Sequence, residues 1–300
     1  MKRVMLFIAI NLLVVVTISL VINLLGVRPY ITSSGMDYYS LLVFCGLFGF
    51  GGALISLQLS RWMAKQAMGV VLVDPKHPAS EAERMLVDKV QSLCLRAGLS
   101  TLPEIGFYES PEVNAFATGP SRNRALLAVS TGLFERMDER ALEGVLGHEV
   151  SHIANGDMVT MTLIQGVVNT FVMFFARVAV FAIDHFLRDR NERGEGLGFF
   201  AHMIVISILE TLLMLLAAPI IYYFSRSREY RADSGSAAIA GRETMIHALR
   251  ALKSCTELVD NRQTSLATLK INGHTKGLIS MLFSSHPPID ARIDALRLMQ

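Results

Sequence analysis

His148, Glu149 and His152 stand in the stretch GHEVSHIANGD, residues 147–157. On an α-helix the two histidines, four positions apart, project from one face on adjacent turns. Two imidazoles placed in this way can grip one metal ion, and a carboxylate between them can serve as the base of a hydrolytic site. Glu149 fits that part: it takes a proton from a water whose pKa the metal lowers toward ~7 and later gives it to a leaving amine. Two protein ligands do not hold a catalytic zinc, for which three plus water are expected. Met158 stands where a third histidine would extend the motif, six residues after His152, so the missing ligand must come from elsewhere in the chain. Alone, the two histidines also suit an ordinary helix face.

The stretch SREYRADSGSA, residues 227–237, carries Glu229 and Asp233, again four apart. Glu229 can complete a site of two histidines and one glutamate, holding one zinc per chain. Asp233, a turn later, can accept the other ring N–H of a ligand histidine and fix its orientation.

The elements that must position these residues alternate between apolar and soluble composition. With 52% apolar residues, the chain is richer in them than soluble domains usually are, which makes a lipid bilayer the first expected partner. Its 28 basic and 26 acidic residues nearly cancel, giving no sign of a nucleic-acid partner. Three scattered cysteines, Cys45, Cys94 and Cys255, offer no disulfide framework and fit a reducing compartment. Residues 4–25 and 39–59 read as spanning helices, since about 20 apolar residues cross ~30 Å of hydrocarbon. Gly46, Gly49, Gly51 and Gly52 in the second span favour close helix approach. Lys2 and Arg3 before this hairpin and Arg61 and Lys65 after it, against Arg28 alone between the spans, place both ends in the cytoplasm.

Residues 76–156 return to soluble composition and read as α+β. An amphipathic helix covers residues 81–97, and strands fall at 104–110 and 124–130. Asp138 caps a helix that runs to about Ala154 and stops at Asn155-Gly156. Two further apolar runs, 158–183 and 197–224, are each long enough to span, and the alternative for them is a helical pair lying on the membrane surface. Arg177 and Glu210 inside them either pair across the hairpin or, for Arg177, snorkel toward the interface. Helices follow at 244–259 and 289–299. The expected organisation is a transmembrane hairpin (1–60), a first part of a soluble domain (61–156), a second hairpin (157–224) and the rest of the soluble domain (225–300).

GHEVSHIANGD, two apolar segments and SREYRADSGSA together resemble the membrane-anchored zinc proteases related to the CAAX prenyl endopeptidases, of the bacterial HtpX type, over essentially the whole chain. The resemblance implies a gluzincin: an α+β zincin-like metalloprotease domain, mostly helical, combined with about four transmembrane helices. It also implies endoproteolysis of unfolded or membrane proteins in envelope stress, at a bacterial inner membrane with the protease domain facing the cytoplasm. Two more stretches acquire roles from it. NAFATG, residues 114–119, resembles the strand at the edge of the family's cleft, where Asn114, Ala115, Phe116 and Ala117 would pair with a substrate backbone. Residues 284–292, SSHPPIDAR, resemble the motif whose histidine and arginine approach the tetrahedral intermediate, here His286 and Arg292. Without the resemblance, these are loop residues and a solvated helix arginine. His77, His185, His202, His247 and His274 lack ligand spacing and read as surface or membrane-lining residues. A different class remains open at this point: a non-proteolytic holdase or assembly factor keeping a structural zinc, for which Glu149 would not matter. A metal transporter fits less well, because His202 and Glu210 lack partners at helical spacing in the other spans. No feature of the sequence specifies an oligomeric state.

Overall fold

A computed structural model describes residues 2–24, 26, 29–32, 35–190, 196–262 and 286–299; Arg28 and His274 lie outside the described residues. In chain order the elements are α1 (Lys2–Leu24), strands β1 (Ile31–Thr32) and β2 (Gly35–Met36), α2 (Tyr38–Met68), β3 (Val71–Leu72), α3 (Glu81–Arg96), β4 (Glu104–Tyr108), β5 (Ala115–Ser121), β6 (Arg124–Ser130), α4 (Thr131–Arg136), α5 (Glu139–Asn155), α6 (Asp157–Arg190), α7 (Phe199–Ala240), α8 (Arg242–Arg262) and α9 (Ile289–Leu298). They form two compact units, Met1–Ser56 with Met161–Ile221, and Leu57–Thr160 with Tyr222–Gln300.

The first unit is helical apart from the short antiparallel pair β1–β2. Among the described residues, α2, α6 and α7 are long and apolar enough to cross a membrane, and α1 carries a shorter apolar stretch, Leu12–Leu24. Small residues set the spacing between helices. A Cβ on Gly49 would lie 2.7 Å from the Thr170 backbone nitrogen, one on Gly166 2.8 Å from the Phe50 ring, and one on Gly51 3.3 Å from Ile18. Arg177 and Glu210 pair across the hairpin, Nη1 to Oε1 at 2.7 Å, and the guanidinium also stacks 5.5 Å from the Phe44 ring centroid. An intramembrane charge is costly without a partner, so pairing prevails over snorkelling. The fourth apolar run and the stretch that carries Glu229 and Asp233 are one helix of 42 residues with Pro219 inside it. No proline follows Pro219 in this stretch, and the helix continues through Gly235 to end only at Gly241.

The second unit holds a four-stranded sheet in the order β3-β4-β6-β5. β4 and β6 are parallel, with Glu104 opposite Leu126, and the other pairs are antiparallel. After Arg124, every residue of β6 is buried, as a central strand covered on both faces requires. β5 pairs only with β6 and stands at the sheet edge. Leu86, Val90 and Leu93 of α3 join Leu127 and Val129 of β6 and Leu142, Leu146 and Ile153 of α5 in one core. α5 opens on Asp138, whose carboxylate accepts the Ala141 N–H at 2.8 Å, and closes on Gly156 at φ 69°, the left-handed cap that glycine reaches without strain.

Candidate metal centre

The stripe Leu142, Val145, Leu146, Val150 and Ile153 anchors α5 in the core and fixes where its histidines point. His148 and His152 are each 8% exposed. Their Nε2 atoms lie 3.0 Å apart, His148 Nε2 is 3.5 Å from Glu229 Oε2, and His152 Nε2 is 3.4 Å from Glu229 Oε1. A small tetrahedral ion with bonds of ~2.0–2.2 Å sets its ligand atoms ~3.3–3.5 Å apart, so the three side chains fit one metal ion. No other group of three or more His, Cys, Asp or Glu side chains among the described residues converges in this way.

Close helix packing brings Glu229 to the histidines. A Cβ on Gly147 would fall 2.7 Å from Ser236 Oγ, one on Gly235 2.6 Å from Ser151 Oγ, and one on Gly144 2.6 Å from the Ala248 Cβ. Ser236 donates its hydroxyl hydrogen bond to the Gly144 carbonyl at 2.9 Å. α5 therefore touches the end of α7 and the start of α8 with no room for side chains at these three positions.

Each histidine is held from its far side by a carboxylate. Asp233 Oδ1 lies 2.9 Å from His148 Nδ1, and Asp157 Oδ2 lies 2.7 Å from His152 Nδ1. A carboxylate at Nδ1 keeps the ring N–H there and turns the Nε2 lone pair toward the shared point. Asp157, 1% exposed, was not singled out in the sequence. Its one signal is its position straight after the Gly156 cap, where the chain reverses and returns a carboxylate beneath His152. Arg292 is committed to Asp233, with Nε to Oδ2 at 2.7 Å and Nη2 to Oδ1 at 2.6 Å, while its Nη1 lies 3.7 Å from Glu229 Oε2. His286 Nδ1 is 3.1 Å from Glu229 Oε2, with the histidine side chain 62% exposed.

Burial opposes charge on the imidazoles, but Asp233 and Glu229 outweigh it and raise the pKa of His148, while Asp157 and Glu229 raise that of His152 to about 9. Burial also works against the carboxylates, yet His148, His152 and His286 hold Glu229 far below the usual range, and Arg292 with His148 holds Asp233 low. These directions describe a pocket whose carboxylates stay ionised beside the imidazoles and Arg292.

His148, Glu149, Glu229, His286 and Arg292 open onto one cleft of about 220 Å³, walled on the sheet side by Val113, Asn114 and Ala115. Phe116 and Ala117 continue β5 without lining that cleft; the Phe116 ring packs 5.6 Å from Tyr108, whose hydroxyl donates to the Asn114 carbonyl at 3.4 Å. Burial pushes the Tyr108 phenol up. Leu133, Val145, Met245 and Leu252 supply the apolar lining; Val145 belongs to the helical stripe of α5, and no spacing in the sequence marks the other three.

A helix bearing two histidines, a glutamate from a second helix and an edge strand over the same cleft place the molecule among the zincin-like metallopeptidases. Residues 80–300 match the model of peptidase family M48, and the chain belongs to that family. It is 50% identical over 98% of both chains to a protein named Protease HtpX homolog from Bacillus licheniformis, and 50% identical over 99% of both to Protease HtpX from Shewanella pealeana. The crystal structure of Ste24p from S. mikatae shares the fold with a TM-score of 0.60 at 18% identity, covering 99% of this chain and 66% of that one.

Proposed function

We propose that this protein is a multi-pass membrane zinc endopeptidase that hydrolyses peptide bonds of unfolded or membrane proteins in envelope quality control and the stress response. The observation that carries this reading is the convergence of His148, His152 and Glu229, whose ligand atoms lie within 4.8 Å of one another, beside Glu149 in the same cleft. The zinc would be held by those three side chains. When bound, it supplies Lewis-acid polarisation of the scissile carbonyl and of the attacking water.

The chain's own residues do the rest. The edge strand, with Asn114 leading into Ala115 to Ala117 of β5, aligns the substrate backbone as an added strand. Glu149 takes a proton from the water as its oxygen attacks the carbonyl carbon. It returns that proton to the amide nitrogen as the C–N bond breaks, leaving a carboxylate and an amine. His286, in the open part of the cleft, donates to the developing oxyanion, and Arg292 adds positive charge from its place on Asp233. The soluble domain is assembled from residues 61–156 and 225–300. The two hairpins, 1–60 and 157–224, anchor it to the bacterial inner membrane, and the charges around the first hairpin turn the catalytic part toward the cytoplasm.

Purified wild type and Glu149→Gln, compared for bound zinc and for cleavage of an unfolded protein, test this. The variant should keep about one zinc per chain and lose cleavage by at least ~100-fold, the usual scale of general-base catalysis. Equal cleavage by both forms, or zinc without cleavage in either, would overturn the assignment and favour a structural zinc.

A further inference from the structure

The chain turns from α5 into α6 at Gly156 and Asp157, and two arginines from different elements close on that corner. Ser121 pairs with Arg124, so Arg122 and Asn123 form the tip of the β5–β6 hairpin. Arg122 reaches over Gly156, where a Cβ would lie 3.4 Å from its Nε and 3.8 Å from its Nη2. From α7, Arg231 Nη2 donates to Asp157 Oδ1 at 3.3 Å. Asp157 is buried and its other oxygen faces His152, whereas the Arg231 side chain is 57% exposed. Arg122 is exposed, and its side chain makes no hydrogen bond or ion pair among the described residues. Two guanidiniums thus meet one buried carboxylate, and positive charge is left over on the surface. We infer that Arg122 and Arg231 together dock the headgroup phosphate of an anionic phospholipid. The site goes beyond the peptidase reading and is independent of it, since neither residue lines the cleft.

The place of this corner along the chain decides the occupant. Asp157 opens α6, one of the helices long and apolar enough to cross a membrane, and the apolar run begins at Met158. On α7 the apolar run ends with Tyr223 and Phe224, both exposed, aromatic side chains of the kind that settle at a membrane–water interface. Arg231 follows Tyr223 by ~12 Å along the helix axis. Side chains on a helix lean toward its N-terminus, which on α7 is the side of the apolar run. The Arg231 guanidinium therefore reaches back toward the headgroups, which fill the ~5–8 Å beyond the hydrocarbon. A planar guanidinium meets phosphate oxygens through paired N–H donors, and two of them over consecutive residues can share one phosphate. A zwitterionic lipid brings its own ammonium to its phosphate, so the surplus positive charge favours an anionic headgroup. A phosphate held here bridges the β5–β6 hairpin, whose edge strand walls the cleft, to α7, which carries Glu229.

The full-length protein in neutral detergent, carrying Glu149→Gln to exclude self-cleavage, tests the proposal with a readout that needs no activity. It is titrated with phosphatidylglycerol, phosphatidylcholine or inorganic phosphate, and bound ligand is counted by native mass spectrometry. Phosphatidylglycerol should bind in preference to phosphatidylcholine. Arg122→Gln and Arg231→Gln should each weaken it about fivefold, the scale of one basic side chain at an anionic surface. Arg140→Gln removes an exposed arginine from the other end of α5, ~24 Å along the axis from Gly156, and should change nothing. Because Arg231 also holds Asp157, its variant is checked for helix content by circular dichroism. Arg122 holds no such partner, and Arg122→Gln alone decides the matter if Arg231→Gln unfolds. Equal effects of Arg122→Gln and Arg140→Gln, equal retention of the two lipids, or inorganic phosphate bound as tightly as phosphatidylglycerol would overturn the proposal.

Discussion

Replacing Asp157 with alanine removes the carboxylate that faces His152 Nδ1 at 2.7 Å and leaves a buried ring N–H with no acceptor. Asp157 is 1% exposed, so water does not readily take its place. Two costs follow. An unsatisfied buried donor costs about 1–3 kcal/mol, and the imidazole loses what holds its Nε2 toward the shared metal position. Loss of such an outer partner typically weakens metal binding 10–100-fold, or about 1.4–2.7 kcal/mol. Asp157 also accepts from Arg231 Nη2 at 3.3 Å and stands in the first turn of α6, where a negative charge contributes about 0.3–1 kcal/mol to the helix. Part of the alanine effect is therefore structural. Asp157→Asn separates the parts, because an amide oxygen still accepts the ring N–H while the charge is gone; its metal affinity should lie between wild type and Asp157→Ala. The assay is a competitive zinc titration of the full-length protein in detergent, with helix content followed by circular dichroism. An alanine variant that keeps its helices and binds zinc within threefold of wild type would show that Asp157 does not orient His152.

Gly147→Ala should separate α5 from α7, since its Cβ would sit 2.7 Å from Ser236 Oγ; overpacking of this kind costs about 1–3 kcal/mol. A lowered unfolding temperature and weaker zinc binding are expected, partly restored in Gly147→Ala with Ser236→Ala, and a variant as stable as wild type would refute the close approach. Gly119 holds φ 147° with its Cβ position against the Arg124 carbonyl, so Gly119→Ala should disrupt the irregular end of β5. Cleavage should fall more than zinc binding, and equal losses would argue against an edge-strand role. Burial raises the Cys94 thiol from 9.0 to about 11. A raised folded pKa means that its stabilisation is fully present below pH 9 and is lost as pH rises through 11, a change on the order of 2 kcal/mol. Denaturant midpoints at pH 8.5 and 10.5 should therefore fall more steeply for wild type than for Cys94→Ala, and parallel slopes would contradict this.

The parts of the site that the sequence displays are those set by a single helix. His148 with His152, and Glu229 with Asp233, are legible because positions four apart share a helix face whatever surrounds them. The cap at Asp138 and the stop at Gly156 are legible for a similar reason, being fixed by residues within one turn. Asp157 escapes this kind of reading because Gly156, at φ 69°, reverses the chain between it and His152. The partner of Arg292 escapes for another reason: α9 must fold against α7 before the guanidinium meets Asp233, across 59 residues of sequence. The resemblance implies that Arg292 approaches the tetrahedral intermediate; in the structure it lines the cleft, with two of its nitrogens on Asp233 and Nη1 3.7 Å from Glu229. We propose that it helps the oxyanion through its charge and by holding Asp233 against His148. Arg292→Lys keeps the charge and loses the paired fork. If its role is electrostatic, the variant should retain most cleavage; if it works by orienting His148 through Asp233, zinc affinity should fall together with cleavage.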